Sequence, residues 1–388
     1  LATIQANWPE NCLKSVMENF TTIIRAYWQK CPTLGQSLRE PGNLFTPMRM
    51  FFALGVLLGH SYVVNYGTDR PEPLSLFQMT ISYVAVNGFF ILSGLLITRS
   101  IDRNPDFIRF FSARALRLFP AIALMAFLAS FVIGPLVSAM PPQAYFSDPM
   151  IWRYIVDVMT FGDTSGGPPQ IFSNNPAPFE WSASLWTLRY EAIAYVGTAI
   201  LAAVGISRSR TAMLALFVLS VSLFLFVRLE FIHLPDLVLH LTRFATTYLL
   251  GAVLYCYRNQ VRLSWLLGAG LVAVALLFGP VMAPFEIMIN FVLAAVLLLI
   301  GFAKIPGRKM ISKMPDASYG VYIWQWPVMQ ILWHFDIARD PFSTMFIAIP
   351  ITIAVGLLSW YGLEKPVLAL KDPVANWLRN KLKSGKTA

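Results

Sequence analysis

Apolar residues fill this chain in long blocks of about 18 to 24, set apart by short connections rich in charge, Gly and Pro. Blocks of that length cross a bilayer as helices; barrel strands would be near ten residues and alternate in polarity. The first block, 44–66, reads LFTPMRMFFALGVLLGHSYVVNY. Nine more follow at roughly 76–98, 118–139, 181–204, 211–229, 237–257, 263–281, 286–303, 317–335 and 343–363. The pattern predicts an all-α polytopic membrane bundle of about ten transmembrane helices over 44–365. An extension, 1–43, precedes it and a basic tail, 366–388, follows. In the extension Val16, Phe20, Ile23, Ile24, Tyr27 and Trp28 fall on one helical stripe, which predicts an interfacial helix. It lacks the basic start and long apolar run of a cleavable signal peptide, and no chemistry is assigned to it.

Charge supplies the orientation. Only 13% of residues are charged and 56% are hydrophobic, about half the charged share of a soluble domain. The net charge of +10 raises nucleic acid as a partner, but its distribution argues against it. Most Lys and Arg sit in alternate connections: Lys14, Arg25, Lys30 and Arg39; Arg99, Arg103, Arg109, Arg114 and Arg117; Arg208 and Arg210; Arg258 and Arg262; Lys304, Arg308, Lys309 and Lys313; and the tail from Lys365 to Lys386. The opposite connections hold Arg70, Arg153, Arg228 and Arg339. This bias places both termini in the cytoplasm and makes membrane lipid, not nucleic acid, the partner of the basic residues. Cys12, Cys31 and Cys256 have no metal-ligand spacing, and no metal is expected.

Polar groups inside the blocks carry the candidate chemistry. Arg49 and His60 are eleven residues apart, nearly three whole turns, so they share a face about 16 Å apart along the axis. An ionisable side chain at membrane depth is costly and marks function by default, the alternative being a histidine bonded between helices. A neutral imidazole takes a proton from a hydroxyl or accepts an acyl group itself. Arg114 and Arg117, in a cytoplasmic loop entering the third span, face the same way and suit a phosphate, although ordinary positive-inside arginines explain them equally. Asn87, Phe90 and Gly94 share a face of the second span; Gly88 and Gly94 allow close helix approach, and Asn87 either packs or lines a polar cavity. The fourth span opens with Trp181, and includes Trp186, Arg189 and Glu191. Glu191 is placed to pair with His60 or with Arg243, and points about 200° from Arg189 on the same helix. Asp236, His240, Arg243 and Thr247 form a polar stripe, an acceptor entrance or a buried network. Ser318, Tyr322 and Gln325 share an inward face, whereas Glu364 reads as a cytoplasmic surface charge. The long outer connection, 140–180, reads as a lid, a binding element or a disordered loop.

Together these residues resemble the acyltransferase 3 family, which includes O-antigen and exopolysaccharide O-acetyltransferases, over about residues 44–370. The Arg49…His60 pair, the Phe89–Gly94 stretch, Arg114-x-x-Arg117, the Ser184–Glu191 stretch and the Ser318–Pro327 stretch each match a family motif, in order. Relatives often carry His where this chain has Gln325, which cannot exchange protons. Some members add an extracytoplasmic hydrolase-like domain; this chain resembles the stand-alone type. The resemblance implies a bacterial-type inner-membrane enzyme with no bound cofactor. It would move an acyl group, most simply acetyl, from cytoplasmic acyl-CoA to a hydroxyl of a carbohydrate or glycolipid. It implies His60 and Glu191 as catalytic residues, with Glu191 orienting His60, and Arg49, Arg114 and Arg117 as donor-binding residues. Asn87, Trp186, His240, Arg243, Tyr322 and Gln325 are then cavity-lining or acceptor-binding. Glycan-assembly proteins or a second copy of the chain are compatible partners. The rival readings are a transporter or flippase of a sugar-lipid or small solute, and a helical scaffold for glycan assembly. The lack of an apparent inverted repeat counts against the first, and the second leaves Arg49, His60 and the Arg pair unexplained.

Overall fold

The computed structural model describes residues 10–67, 72, 79–232, 234–277, 279 and 282–384. Among the described residues the regular structure is helical, with two isolated bridges, Thr33–Arg262 and Ser138–Ile171. Arg70, Lys386 and the side chains of Cys12, Lys14, Val16, Phe20 and Ile24 lie outside the described residues. The helices are α1 (Glu10–Lys30), α2 (Phe45–Tyr66), α3 (Ile81–Arg103), α4 (Phe107–Leu128), α5 (Met150–Thr160), α6 (Leu188–Ala203) and α7 (Arg210–Arg228). They continue with α8 (Asp236–Cys256), α9 (Trp265–Leu277), α10 (Met282–Gly301), α11 (Ser318–His334), α12 (Pro341–Ser359) and α13 (Lys371–Ser384). On α1, Ile23 and Trp28 are exposed.

Among the described residues, seven helical segments are long and apolar enough to cross a membrane: α2, α3, α4 with its extension to Val137, α7, α8, α10 and α12 with its continuation. The expected count of about ten is not confirmed among the described residues, where α6, α9 and α11 have 16, 13 and 17 residues. Helices α6 and α11 have local reasons. The block feeding α6 starts as a 3₁₀ turn, Ala183–Thr187. The Ser182 and Ser184 hydroxyls there donate to the carbonyls of Ile323 (3.3 Å) and Tyr322 (3.1 Å) on α11. Pro327, inside α11, has no N–H for the Ile323 carbonyl, so Ser182 supplies the missing donor. Helix α11 itself is buried along most of its length, so it meets protein where a lipid-facing span would meet acyl chains. Helix α9 ends where the described residues break off.

Helix α4 begins eleven residues before the expected third span, because Asp106 caps it by accepting from the Arg109 N–H (3.1 Å). Arg114 and Arg117 therefore lie within a helix, not in a loop. The basic connections are tied to one another on one face. Arg99 donates to the Leu38 carbonyl (2.7 Å), Arg258 pairs with Asp102 (3.6 Å), and Arg117 pairs with Glu364 (3.1 Å). The connection over 140–180 is structured and packs on the opposite end of α11. There Asn175 donates to the Gln330 side-chain carbonyl (2.7 Å), and the Gln330 amide donates to the Ala177 carbonyl (2.6 Å). Phe172 stacks on Trp181 at 6.1 Å.

Helices α3 and α8 make the closest crossing. A Cβ on Gly94 would overlap the Tyr248 carbonyl oxygen, and one on Gly251 would overlap that of Ile91. Both obstacles are backbone, so no rotamer change relieves them. Gly94→Ala is expected to lower stability by about 1–3 kcal/mol through forced separation of the helices. Gly197→Ala, where nothing lies within 4 Å, should be neutral or stabilising, because Ala is the better helix former. Thermal unfolding of the two purified variants checks this; equal melting would remove the crossing as a constraint.

Candidate active site

Helices α2 and α11 run side by side in the same direction and set the frame of the site. At one end Arg49 pairs with Asp316 (3.0 Å), just ahead of α11. At the other, the His60 ring meets Trp326 edge-on at 4.9 Å. Eleven residues separate the two α2 contacts and ten the two on the α11 side, so the helices keep register over about 16 Å. The shared face of Arg49 and His60 is thus the face turned to α11.

Around the Arg49 end lies a cavity of about 400 Å³, lined by residues of α2, α3, α4, α6, α8 and α11 and by the start of the C-terminal tail. Five cationic side chains, Arg49, Arg109, Arg114, Arg117 and Lys371, line it against two carboxylates, Glu191 and Asp316. The cations are not equivalent. Arg117 is buried and doubly paired, with Asp316 (2.9 Å) and Glu364 (3.1 Å), and lies over the Tyr319 and Trp360 rings. Asp316 also accepts from Ser318 (3.0 Å), and Glu364 from Ser359 (2.8 Å). Glu364 is 1% exposed, which corrects its expected place as a surface charge: the turn Trp360–Glu364 folds it back beneath α4, where it neutralises Arg117. Burial alone would raise the Asp316 carboxyl, but Arg49 and Arg117 outweigh it and hold the group below the usual carboxylate range.

Arg114 differs. It lies over the Phe110 and Tyr195 rings at 5.5 Å each, reaches Ser100 at 3.4 Å, and has a buried Nε without a partner. No carboxylate pairs with it among the described residues. Of the Arg-x-x-Arg motif, then, Arg117 belongs to the scaffold's ion network and Arg114 is the open cation. Glu191 accepts from the Tyr195 hydroxyl and lines the same cavity. No hydrogen bond joins it to His60, so these two residues are not brought together. Arg189 donates to the carbonyls of Phe161 and Gly162, away from Glu191 as their helical angle requires.

The cavity's other end is aromatic. Tyr322 donates to the Ser184 carbonyl (3.0 Å), shares a hydrogen bond with Thr187 (2.7 Å), and faces Phe89 at 5.8 Å. His60 is not among the lining residues. It is partly buried, its Nδ1 is buried without a partner among the described residues, and the Trp326 it touches is one turn, about 6 Å, beyond Tyr322. Gln325 is fully buried; its amide donates to the Tyr322 carbonyl (3.2 Å) and its own carbonyl oxygen has no partner.

The remaining expected site residues form a separate layer. Arg243 donates to the Asn87 side chain (3.0 Å) and the Tyr83 carbonyl (3.0 Å), and Asn87 donates to Asn290 (2.9 Å). Tyr83 donates to Glu286, which pairs with Arg228 (3.5 Å). Arg243 alone of the stripe's charged residues joins this buried network, Asp236 is exposed, and neither Asn87 nor Arg243 lines the cavity. His240 and Trp186 pack against each other at 4.7 Å. Asp316 is not singled out by the sequence; its signal is a carboxylate placed just ahead of an apolar block.

A family model describing an acyltransferase domain, the acyltransferase 3 type, matches residues 47–361. An O-acetyl transferase of Shigella phage Sf6 is 26% identical over 341 residues, covering 85% of this chain and 97% of the relative. Nodulation protein 10 of Rhizobium leguminosarum bv. viciae is 26% identical over 354 residues, covering 85% of this chain and 94% of the relative. No solved structure matches the chain.

Proposed function

Because this chain belongs to the acyltransferase 3 family, we propose that it moves an acyl group, most simply acetyl, from acyl-CoA to a hydroxyl of a cell-surface or lipid-linked carbohydrate. The likeness to a phage O-acetyl transferase supports an oxygen acceptor and an acetyl group. The observation that carries the donor side is the open cation Arg114 in a 400 Å³ cavity with an excess of positive charge. A thioester ending in several phosphates fits such a wall. The basic connections around the mouth suit a cytoplasmic donor.

In this mechanism the phosphorylated end of the donor stays with Arg114, and the acyl end extends past Phe89 and Tyr322 toward His60. The acceptor arrives from the opposite face, beneath the 140–180 connection. His60 takes the hydroxyl proton as the oxygen attacks the thioester carbonyl carbon. The C–S bond then breaks, and the thiolate leaves as free CoA thiol with the proton returned from the imidazolium. In the alternative route the His60 nitrogen attacks the thioester carbon, and the C–S bond breaks to release the CoA thiolate. The acceptor oxygen then attacks the acyl-imidazole, breaking the C–N bond as the hydroxyl proton passes to the thiolate or solvent. Glu191 acts in this scheme as a positioning residue: it holds Tyr195, on whose ring Arg114 rests.

The test is thioester loss. Purified protein given acetyl-CoA and an acceptor glycan should release CoA thiol and acetylate the glycan. Arg114→Ala should raise the donor KM by about 10-fold or more through loss of charge-assisted contacts. Solute flux through proteoliposomes without thioester consumption would replace this function with transport.

A further inference from the structure

The family match ends at residue 361, yet the cavity wall does not. Leu368 and Lys371, both beyond the match, line it beside Arg109 and Arg114. Lys371 opens α13, which lies along the start of α4. Asp372 accepts from Arg109, Arg379 pairs with Asp106 (the residue that caps α4), and Ala375 is buried in the contact at 1% exposure. The tail is therefore docked by side chains of both signs, not merely drawn to lipid by its basic charge.

The pairing also sorts the cations at this mouth. Arg109 is engaged by Asp372 and Arg117 by Asp316 and Glu364. Lys371, like Arg114, makes no ion pair among the described residues. Two cations without carboxylate partners thus line one mouth, one from α4 and one from the tail. A flexible ammonium and a stacked guanidinium suit an anion carrying more than one phosphate group, of which only one end enters the fixed part of the site.

We propose that Lys371 is a donor-binding residue, and that the C-terminal helix completes the donor site by holding Lys371 against the phosphorylated end of the CoA thioester. This rests on the reading that the cavity takes acyl-CoA. Lys371 from the tail and Arg114 from the family-matched bundle would share the phosphates, and the bundle would hold the rest of the donor.

The test uses the full chain in lipid nanodiscs and calorimetric titration with CoA and with 3′-dephospho-CoA. Lys371→Ala should weaken CoA binding about 5- to 10-fold, and Lys371→Glu more, as expected for loss and reversal of one partly exposed charge-assisted contact. Lys371→Arg should recover most of the affinity. Lys381→Ala is the control, since Lys381 lies on the same helix but over the exposed Trp377 ring at 5.2 Å. It should bind CoA like the native protein. If Lys371→Ala binds CoA unchanged while Arg114→Ala loses it, the role of the tail is wrong and the donor cavity stands. The role is equally wrong if Lys381→Ala loses as much as Lys371→Ala. If the native protein binds neither ligand, both readings fall together.

Discussion

Alanine at position 60 is expected to lower acyl-transfer turnover about 10²- to 10⁴-fold, the usual contribution of a positioned acid–base group, while CoA binding stays near native. The separation follows from geometry. His60 lies about 16 Å along α2 from Arg49 and outside the cavity lining, so its removal takes no contact from the phosphorylated end of the donor. Among the described residues its Nδ1 is buried without a partner, so none of them holds that atom as a fixed structural group. What the ring does contribute to packing is its edge contact with Trp326. His60→Gln keeps a polar side chain of similar reach but cannot carry a proton, so it should be as inactive as His60→Ala. Arg114→Ala should show the complementary pattern, with donor KM raised and turnover less affected. A His60→Ala protein that transfers acyl groups at the native rate, or His60→Gln that retains activity, would remove the proton acceptor from the mechanism.

The placement of Arg49 and His60 that underlies this proposal is legible in part from the sequence. Helical periodicity placed Arg49 and His60 on one face, and both do face α11. The motif glycines also announced themselves: Gly94 meets the Tyr248 carbonyl and Gly88 the ring of Phe52. What periodicity cannot convey is which distant element neutralises a charge. Arg114 and Arg117 look alike in sequence, yet only Arg117 finds carboxylates, on segments 199 and 247 residues away. Glu364 looked like a surface charge because its neighbours Lys365 and Pro366 are those of a chain leaving the membrane, and the turn that buries it is a tertiary feature. The same reason hid Asn87 and Arg243 as partners, since each lay on a different block with a plausible cavity of its own. The start of α4 is hidden in the sequence because Arg109, Arg114 and Arg117 interrupt its apolar residues, and the first of these is paired by Asp372 of the tail.

The largest effect on stability should come from Asp316, because it is the common counter-ion of two buried or half-buried guanidiniums. Asp316→Ala leaves Arg49 without its carboxylate and Arg117 with Glu364 alone. Removing one partner from a buried ion network costs about 3–5 kcal/mol, most of it the penalty of the charge left behind. The network also joins α2, α4, α11 and the turn after α12, so its loss loosens the wall on which Arg114 stands. The pH dependence has a definite sign. The Asp316 carboxyl titrates below its ordinary range when folded. Its stabilisation is therefore complete above the unfolded-state value, near pH 4, and is lost as pH falls through the lower folded value. Thermal unfolding across pH 2 to 7 should show this loss in the native protein and a shallower acid limb in Asp316→Asn, which keeps a hydrogen-bond acceptor but no titrating charge. Asp316→Ala should melt well below native at neutral pH and approach it as the solution is acidified. Native-like melting of Asp316→Ala at neutral pH would mean that Glu364 and solvent suffice for both arginines, and that Arg49 is as open to the donor as Arg114.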